Sequence, residues 1–308
     1  MLSIILPTYN AEKYIERFLQ RLSENLKICG EKSEIIVIDS SSTDDTVKLA
    51  KKFGAKVYVI PKKEFDHGGT RSYAAKLATG DILIFFTQDA LLFDDRSISN
   101  LILHFKESSV GAVYGRQICY ENTNPFGRHL RLFNYPEEFL VKKYKDKDKY
   151  GIKTAFMSNS FCAYRKSALD KIGYFKERLI MGEDTYAGAL LLKAGYKIIY
   201  EPKAIVFHSH NYNVFEEFRR YFDIGVFHNS ERWLLEEFGS AQGEGKRYIK
   251  SELNFLIKNG LYQFLPEYII RNFLKYAGYK LGMNYKILPK FLVKKFSMHK
   301  SWWNKKYD

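Results

Sequence analysis

Cysteine is scarce and scattered. Cys29, Cys119 and Cys162 form no CxxC pair and leave an odd count, which excludes a disulfide framework or a zinc knuckle and fits a reducing compartment. No apolar run approaches the length needed to span a bilayer. The N-terminus opens directly on a strand-like Leu2–Leu6, without a basic stretch and cleavage site, so no secretory signal is expected. Two phosphate-binding fingerprints are missing as well: there is neither GxGxxG nor GxxxxGK[ST], so the dinucleotide and ATPase types of loop drop out. No internal repeat occurs. Acidic residues are short in the last fifth: from Lys246 to Asp308, 14 Lys or Arg face only Glu252, Glu267 and Asp308, a net +11 of the chain's +14. That tail is rich in Phe, Tyr and Trp, a combination suited to an anionic membrane surface or a nucleic acid. With no nucleic-acid-binding module in sight, a nucleic-acid partner is not expected.

What is present is a folded chain of 308 residues, 46% apolar and 27% charged, large enough for one big domain or two smaller ones. Strands are expected at 3–6, 34–39, 56–60 and 82–86, with helices at 11–29 (Asn10 as N-cap), 46–53 and 68–79 between them. This alternation predicts an α/β fold around a mostly parallel, doubly wound central sheet. The run Ile82–Phe86 is apolar without a break and stops at Thr87-Gln88-Asp89, as a strand covered on both faces would. Beyond it the spacing predicts a helix at 97–105, strands at 110–114, 154–164, 197–200 and 204–207, and helices at 183–194 and 214–238. The charged loop 121–153 is expected to shape acceptor choice. Residues 239–245 read as a linker, dividing a catalytic domain, 1–238, from a helical, basic C-terminal region, 246–308.

Three of the first four strands end in polar clusters: Pro7-Thr8-Tyr9-Asn10, Asp39-Ser40-Ser41 and Thr87-Gln88-Asp89. In a parallel sheet these converge on one rim, where ligands of open α/β sheets gather. Each cluster alone is an ordinary strand–loop cap; three in step are a candidate site. Asp39 can accept from a pyrimidine N3–H, Tyr9 can stack on a base, and the hydroxyls of Thr8 and Ser41 can bond ring or ribose oxygens. Asp89 is placed to hold a divalent cation against a phosphate. Gly68 and Gly69 open a helix where backbone N–H groups could approach an anion, with Arg71 beside them.

The stretches Ile4–Asn10 and Ile38–Asp44 resemble family 2 glycosyltransferases of the GT-A fold. Phe65–Arg71 and Phe86–Ala90 resemble its rhamnosyltransferase branch, and Gly182-Glu183-Asp184 and Val206–His210 complete the set over roughly residues 1–235. The resemblance implies an inverting, metal-dependent transferase. Asp184 would be the catalytic base. Pro7, Thr8, Tyr9, Asp39, Ser41, Arg71, Gln88 and Asp89 would bind the nucleotide sugar. Asp89 and His208 would hold Mg²⁺ or Mn²⁺, and Glu183 and His210 would face the acceptor. Gln88 stands where the family's DxD motif has its first acid, and Ser72 where the branch has Asn. The implied donor is dTDP-rhamnose, with a UDP-hexose or UDP-galactofuranose as the alternative. The implied acceptor is a glycan or lipid-linked oligosaccharide at the cytoplasmic face of the membrane. A non-catalytic sugar-binding or nucleic-acid-binding protein is the rival class. For the tail two expectations stand side by side: a structural cap, or a peripheral membrane attachment in which Phe255, Leu256, Leu261, Phe264 and Leu265 give apolar contact and Trp302-Trp303 form an interfacial anchor.

Overall fold

The computed structural model describes residues 1–240 and 243–307. Short apolar runs and helical stripes alternate through the first third as β1 (Leu2–Thr8), α1 (Glu12–Cys29), β2 (Ser33–Asp39), α2 (Thr46–Lys52), β3 (Lys56–Val59), α3 (His67–Leu77) and β4 (Ile82–Phe86). β1 pairs in parallel with β2 and β4, and β2 with β3. The pleat divides each strand between two cores. Ile4, Leu6 and Ile84 meet Ile15, Phe18 and Leu22 of α1 on one face, and Ile5, Leu83 and Phe85 meet Ala74 and Ala75 of α3 on the other. The N-cap of α1 is Ala11, not Asn10. Asn10 sits at φ 47° and its side chain accepts from the Thr43 amide at 3.0 Å, so it ties two loops together instead.

The middle of the chain adds β5 (Leu91–Leu92), α4 (Ser97–Ile102), β6 (Val110–Ile118), α5 (Pro125–Asn134), β7 (Leu140–Lys142), α6 (Lys147–Tyr150), β8 (Phe161–Arg165), α7 (Lys166–Lys171), α8 (Glu183–Lys193) and β9 (Lys197–Phe207). The strand order is β3-β2-β1-β4-β8-β6-β9-β5, with β7 on β9. β8 runs antiparallel to β4 and β6, and β5 and β7 antiparallel to β9, so the sheet is mixed, parallel in its first half and with three reversed strands beyond it. The segment 154–164 is not one strand: a tight helical turn ends at Ala155, and Ser158-Asn159-Ser160 makes a polar corner before β8. The two expected strands 197–200 and 204–207 are one. Its register on β6 skips from Gly115↔Glu201 to Arg116↔Ile205, where Pro202 has no N–H to give.

The remainder is helical: α9 (Val214–Ser230), α10 (Trp233–Phe238), α11 (Glu244–Lys258), α12 (Leu265–Met283), α13 (Lys290–Phe296) and α14 (Lys300–Tyr307). The helix expected over 214–238 breaks at Glu231, which is buried and takes the Lys176 ammonium at 2.7 Å. Of the expected linker 239–245, residues 241 and 242 lie outside the described residues, as does Asp308. α12 lies on α9 with backbone contact. A Cβ on Gly282 would stand 2.0 Å from the Phe222 carbonyl oxygen, and one on Gly278 would stand 2.4 Å from that of Phe218. Tyr285, Val293 and Trp303 join the core that holds Ile5 and Phe85. Trp303 is 0% exposed, packed against Tyr285 and Trp302, and the indole N–H of Trp302 donates to the Arg178 carbonyl at 2.9 Å. Trp303 is therefore core, with Trp302 half-buried against it, and not an interfacial anchor. Leu256 is likewise buried, with Phe255, Leu261, Phe264 and Leu265 packed around it.

Candidate active site and metal centre

The carboxyl ends of β1, β2 and β4 do converge. Asp39 closes β2 fully buried: it accepts from the Thr8 hydroxyl at 2.9 Å, the Ser42 amide at 2.8 Å and the Ser42 hydroxyl at 2.6 Å. Pro7 and Thr8 finish β1 alongside it. The next residue, Tyr9, projects its ring under Lys62, whose ammonium lies 4.0 Å from the ring centroid and donates to the phenol oxygen at 2.6 Å. Gln88 receives the Tyr9 amide at 2.8 Å and donates to the Tyr9 carbonyl at 3.2 Å. It thus clamps the ends of β1 and β4 together, a role open to a neutral amide and not to a carboxylate, which could not donate. Ser41 is exposed, at φ 60°, with its hydroxyl given to the Ile60 carbonyl at 2.8 Å.

β4 also aims Asp89, and the end of β9 aims two imidazoles at it. His208 Nε2 lies 3.4 Å and His210 Nδ1 4.0 Å from Asp89 Oδ2. One donor atom from each of the three falls within 4.8 Å of the others. Burial pushes both rings down, His210 to about 4, so both are neutral at physiological pH. Gln117 of β6 decides the geometry. Its amide nitrogen donates to Ser158 at 2.8 Å, so its oxygen, 2.9 Å from His208 Nδ1, accepts that ring's proton. His208 is left with an Nε2 lone pair facing a carboxylate oxygen. Two acceptors aimed at one point are stable with a cation between them, and an oxygen-and-imidazole set suits Mg²⁺ or Mn²⁺.

α8 brings the acidic pair. Asp184 takes the amides of Asn159 at 3.2 Å and Thr185 at 2.7 Å. Burial, and then the neighbouring Glu183, push its carboxyl up to about 7. Glu183 is buried, but Arg71 at 3.2 Å and the Asn159 amide at 3.2 Å keep it ionised and below its usual range. Arg71 is thus committed to Glu183 and to the His67 carbonyl at 3.0 Å. The start of α3 is no open anion nest either: Asp66 takes the Gly69 amide at 2.7 Å, and a Cβ on Gly68 would stand 1.9 Å from the Lys176 carbonyl oxygen. These glycines serve packing, not phosphate.

Asp89, His208, His210, Arg71, Glu183 and Asp184 line one cleft of about 560 Å³. Two cations of that cleft escaped the sequence reading. Arg131 of α5 keeps its Nε without a partner, and Arg220 of α9 lies over the Tyr212 ring at 5.8 Å. Among the described residues neither is paired with a carboxylate. The tail reaches the same cleft through Lys275 and through His299, whose ring meets His67 edge-on at 5.6 Å. No motif marks these residues, because the packing of separate helices brings them to the cleft, as where His299 meets His67.

The profile of glycosyl transferase family 2 matches residues 3–173. The chain is 44% identical over 305 residues to the O-antigen chain rhamnosyltransferase RfbN of Salmonella typhimurium, covering 98% of this chain and 96% of that protein. It is 43% identical over 303 residues to the O-antigen chain rhamnosyltransferase WbaN of Salmonella anatum, covering 98% and 95%. In fold it is similar to the mannosyltransferase PcManGT of Pyrobaculum calidifontis in complex with GDP-Man and Mn²⁺. There the TM-score is 0.58, at 16% identity over 98% of this chain and 84% of that one. It is similar also to Staphylococcus aureus TarS in complex with UDP-GlcNAc, with TM-score 0.56 at 18% identity over 96% and 84%. The fold is that of the GT-A glycosyltransferases, and the chain belongs to glycosyl transferase family 2.

Proposed function

We propose that this glycosyltransferase moves rhamnose from dTDP-rhamnose onto a hydroxyl of a growing cell-surface polysaccharide or its lipid-linked precursor, with inversion at the sugar C1. The observation that carries the chemistry is a half-buried carboxylate, Asp184, poised near neutral pH in the same cleft as the Asp89–His208–His210 cluster. The full-length likeness to two O-antigen rhamnosyltransferases supports the sugar. Asp184 takes the proton of the acceptor hydroxyl as its oxygen attacks C1. The bond from C1 to the phosphate oxygen breaks, and its electron pair leaves with the nucleoside diphosphate. A divalent cation held by Asp89 and His208, with His210 beside them, supplies positive charge for that leaving group when bound. Arg131 and Arg220 add unpaired guanidinium charge to the same side. Asp39 accepts from the pyrimidine N3–H, Tyr9 stacks on the base, and the edges of Pro7, Thr8 and Ser41 complete that pocket. Glu183, fixed by Arg71, orients Asp184 from the acceptor side.

The enzyme works at the inner face of the cell membrane as a peripheral protein. No helix among the described residues is long and apolar enough to cross a bilayer, and the basic tail supports attachment by charge. Uracil and thymine present the same N3–H to Asp39, so a UDP-sugar is the second reading for the donor. Thermal-shift titration with dTDP-rhamnose and with UDP-sugars, each with and without Mn²⁺, separates them. Metal-dependent stabilisation by dTDP-rhamnose alone is expected. A shift with UDP-sugars only would move the donor, and no shift with any donor would overturn the site.

A further inference from the structure

Helix α12 is built inside out. Its inward face carries Arg271, Lys275, Gly278 and Gly282. The glycines allow backbone contact with α9, and the cations are neutralised internally: Arg271 by Glu217 at 3.1 Å and Glu267 at 2.6 Å, Lys275 by Glu217 and Glu252, each at 3.5 Å. Its outward face carries Ile269, Ile270, Phe273 and Tyr276, between 52% and 66% exposed. These residues recur at helical spacing, so they form one stripe. Just beyond the helix Ile287 is 81% and Phe291 69% exposed. A helix that buries its charges and shows its large apolar side chains to solvent is arranged for an apolar environment outside it.

Charge selects the occupant. Between Glu267 and Asp308 the sequence has ten Lys or Arg and no Asp or Glu. Lys280, on the stripe itself, and Lys286, Lys290, Lys294 and Lys295 around Ile287 and Phe291 are exposed. A second copy of this chain would bring the same positive field to the contact and repel it. An anionic lipid surface meets both features, headgroups against lysines and acyl boundary against the apolar stripe. We propose that α12 and the turn after it are the membrane-docking face, with Ile269, Ile270, Phe273, Tyr276, Ile287 and Phe291 inserted at the headgroup boundary. This rests on the peripheral attachment proposed above and replaces the residues that the sequence alone would choose. It also has a geometric consequence. Lys275, on the inner face of the same helix, lines the catalytic cleft, so the bilayer lies about one helix diameter, 10–12 Å, from the cleft wall. A lipid-linked acceptor is thereby presented without leaving the membrane.

The test is co-flotation of the full chain with vesicles of phosphatidylglycerol and phosphatidylcholine, against phosphatidylcholine alone, for wild type, Ile269→Glu/Phe273→Glu and Lys286→Glu/Lys294→Glu. Wild type is expected with the anionic vesicles only. The first variant should lower the partition coefficient about tenfold or more, as the loss of two large apolar contacts implies. The second should weaken binding and flatten its salt dependence, while both variants keep the wild-type melting temperature. Binding of the apolar variant equal to wild type would overturn this face and leave membrane attachment standing. Failure of wild type to float with any vesicle would overturn the attachment itself. Wild-type dimers in solution that Ile269→Glu/Phe273→Glu dissolves would assign the face to self-association instead.

Discussion

A half-buried carboxylate beside a second carboxylate is held in place against its own electrostatics, and Asp184 makes this measurable. Its folded-state value, about 7, lies above the ordinary carboxyl value. Between the two the native state keeps a proton that the unfolded chain has released, so stability falls as pH rises through that window and levels off above it. Asp184→Asn is therefore expected to melt higher than wild type, with a larger gain at pH 8 than at pH 5; an equal gain at both would remove the raised carboxyl. The same variant should lose about 10²–10⁴-fold in kcat while still showing donor-induced thermal stabilisation. In the wild type, activity should rise with pH through about 7 as the base ionises. Gln117 makes a subtler prediction. By accepting the Nδ1 proton of His208 it fixes which nitrogen faces Asp89. Gln117→Leu should therefore raise the Mn²⁺ concentration needed for donor stabilisation about 10–100-fold. Gln117→Glu, which can still accept that proton, should restore most of it. Asp89, Asp184 and His208 were legible in the sequence because each sits in a local motif. Gln117, Arg131 and Arg220 were not, since what brings them to the cleft is the packing of separate strands and helices.

Elements were legible where local pattern and burial agree. β1, β2, β4 and α1 come out within a residue or two of expectation, because an unbroken apolar run or a helical stripe has one way to be buried. The reversed strand β8, the full length of β6 and the joining of β9 across Pro202 depend on pairings with remote partners, which no local pattern encodes. The α9–α12 contact belongs to the same class. Gly278 and Gly282 read in isolation as weak spots in a helix, yet they exist because another backbone lies against them. Gly282→Ala would put its methyl 2.0 Å from the Phe222 carbonyl oxygen, and neither backbone can yield without moving a helix. The expected cost is about 1–3 kcal/mol or more, read as a drop of several degrees in the melting temperature. Gly245→Ala, where an added Cβ meets nothing, should leave it unchanged or raise it. A Gly282→Ala protein that melts like wild type would mean that the helices are not in backbone contact.

At the scale of the molecule the basic tail has two faces with opposite duties, and of the two expectations for its aromatics the structural cap fits Trp303 while the interfacial anchor does not. Trp303 is core, while Ile269 and Phe273, unremarkable in the sequence, are exposed. The sequence left both open for a physical reason: amphipathicity says that a helix has two faces, and only the packing partner says which one is inside. Since the partner α9 offers Glu217 and backbone carbonyls, the charged and glycine-bearing face turned inward. The tail is also no appendage to the catalytic part. Tyr285, Val293 and Trp303 complete the core that contains Ile5 and Phe85. The Met298 amide donates to Asp223 at 2.9 Å, and His299 walls the catalytic cleft. Full burial of each large apolar side chain contributes about 1.5–3 kcal/mol, so removing three of them is comparable to the whole stability of an ordinary domain, about 5–15 kcal/mol. A chain ending at residue 284 is therefore expected to aggregate or melt far below the full chain, and the full chain to unfold in a single calorimetric transition. A soluble 1–284 protein with the full-length melting temperature would show that the tail's aromatic core contributes little to the fold. The site makes the same demand independently. Without His299 against His67, the wall behind Arg71 and Glu183 opens to water, which relieves the burial that raises Asp184, so any folded fraction of the shortened chain should show its activity rising at a lower pH than wild type.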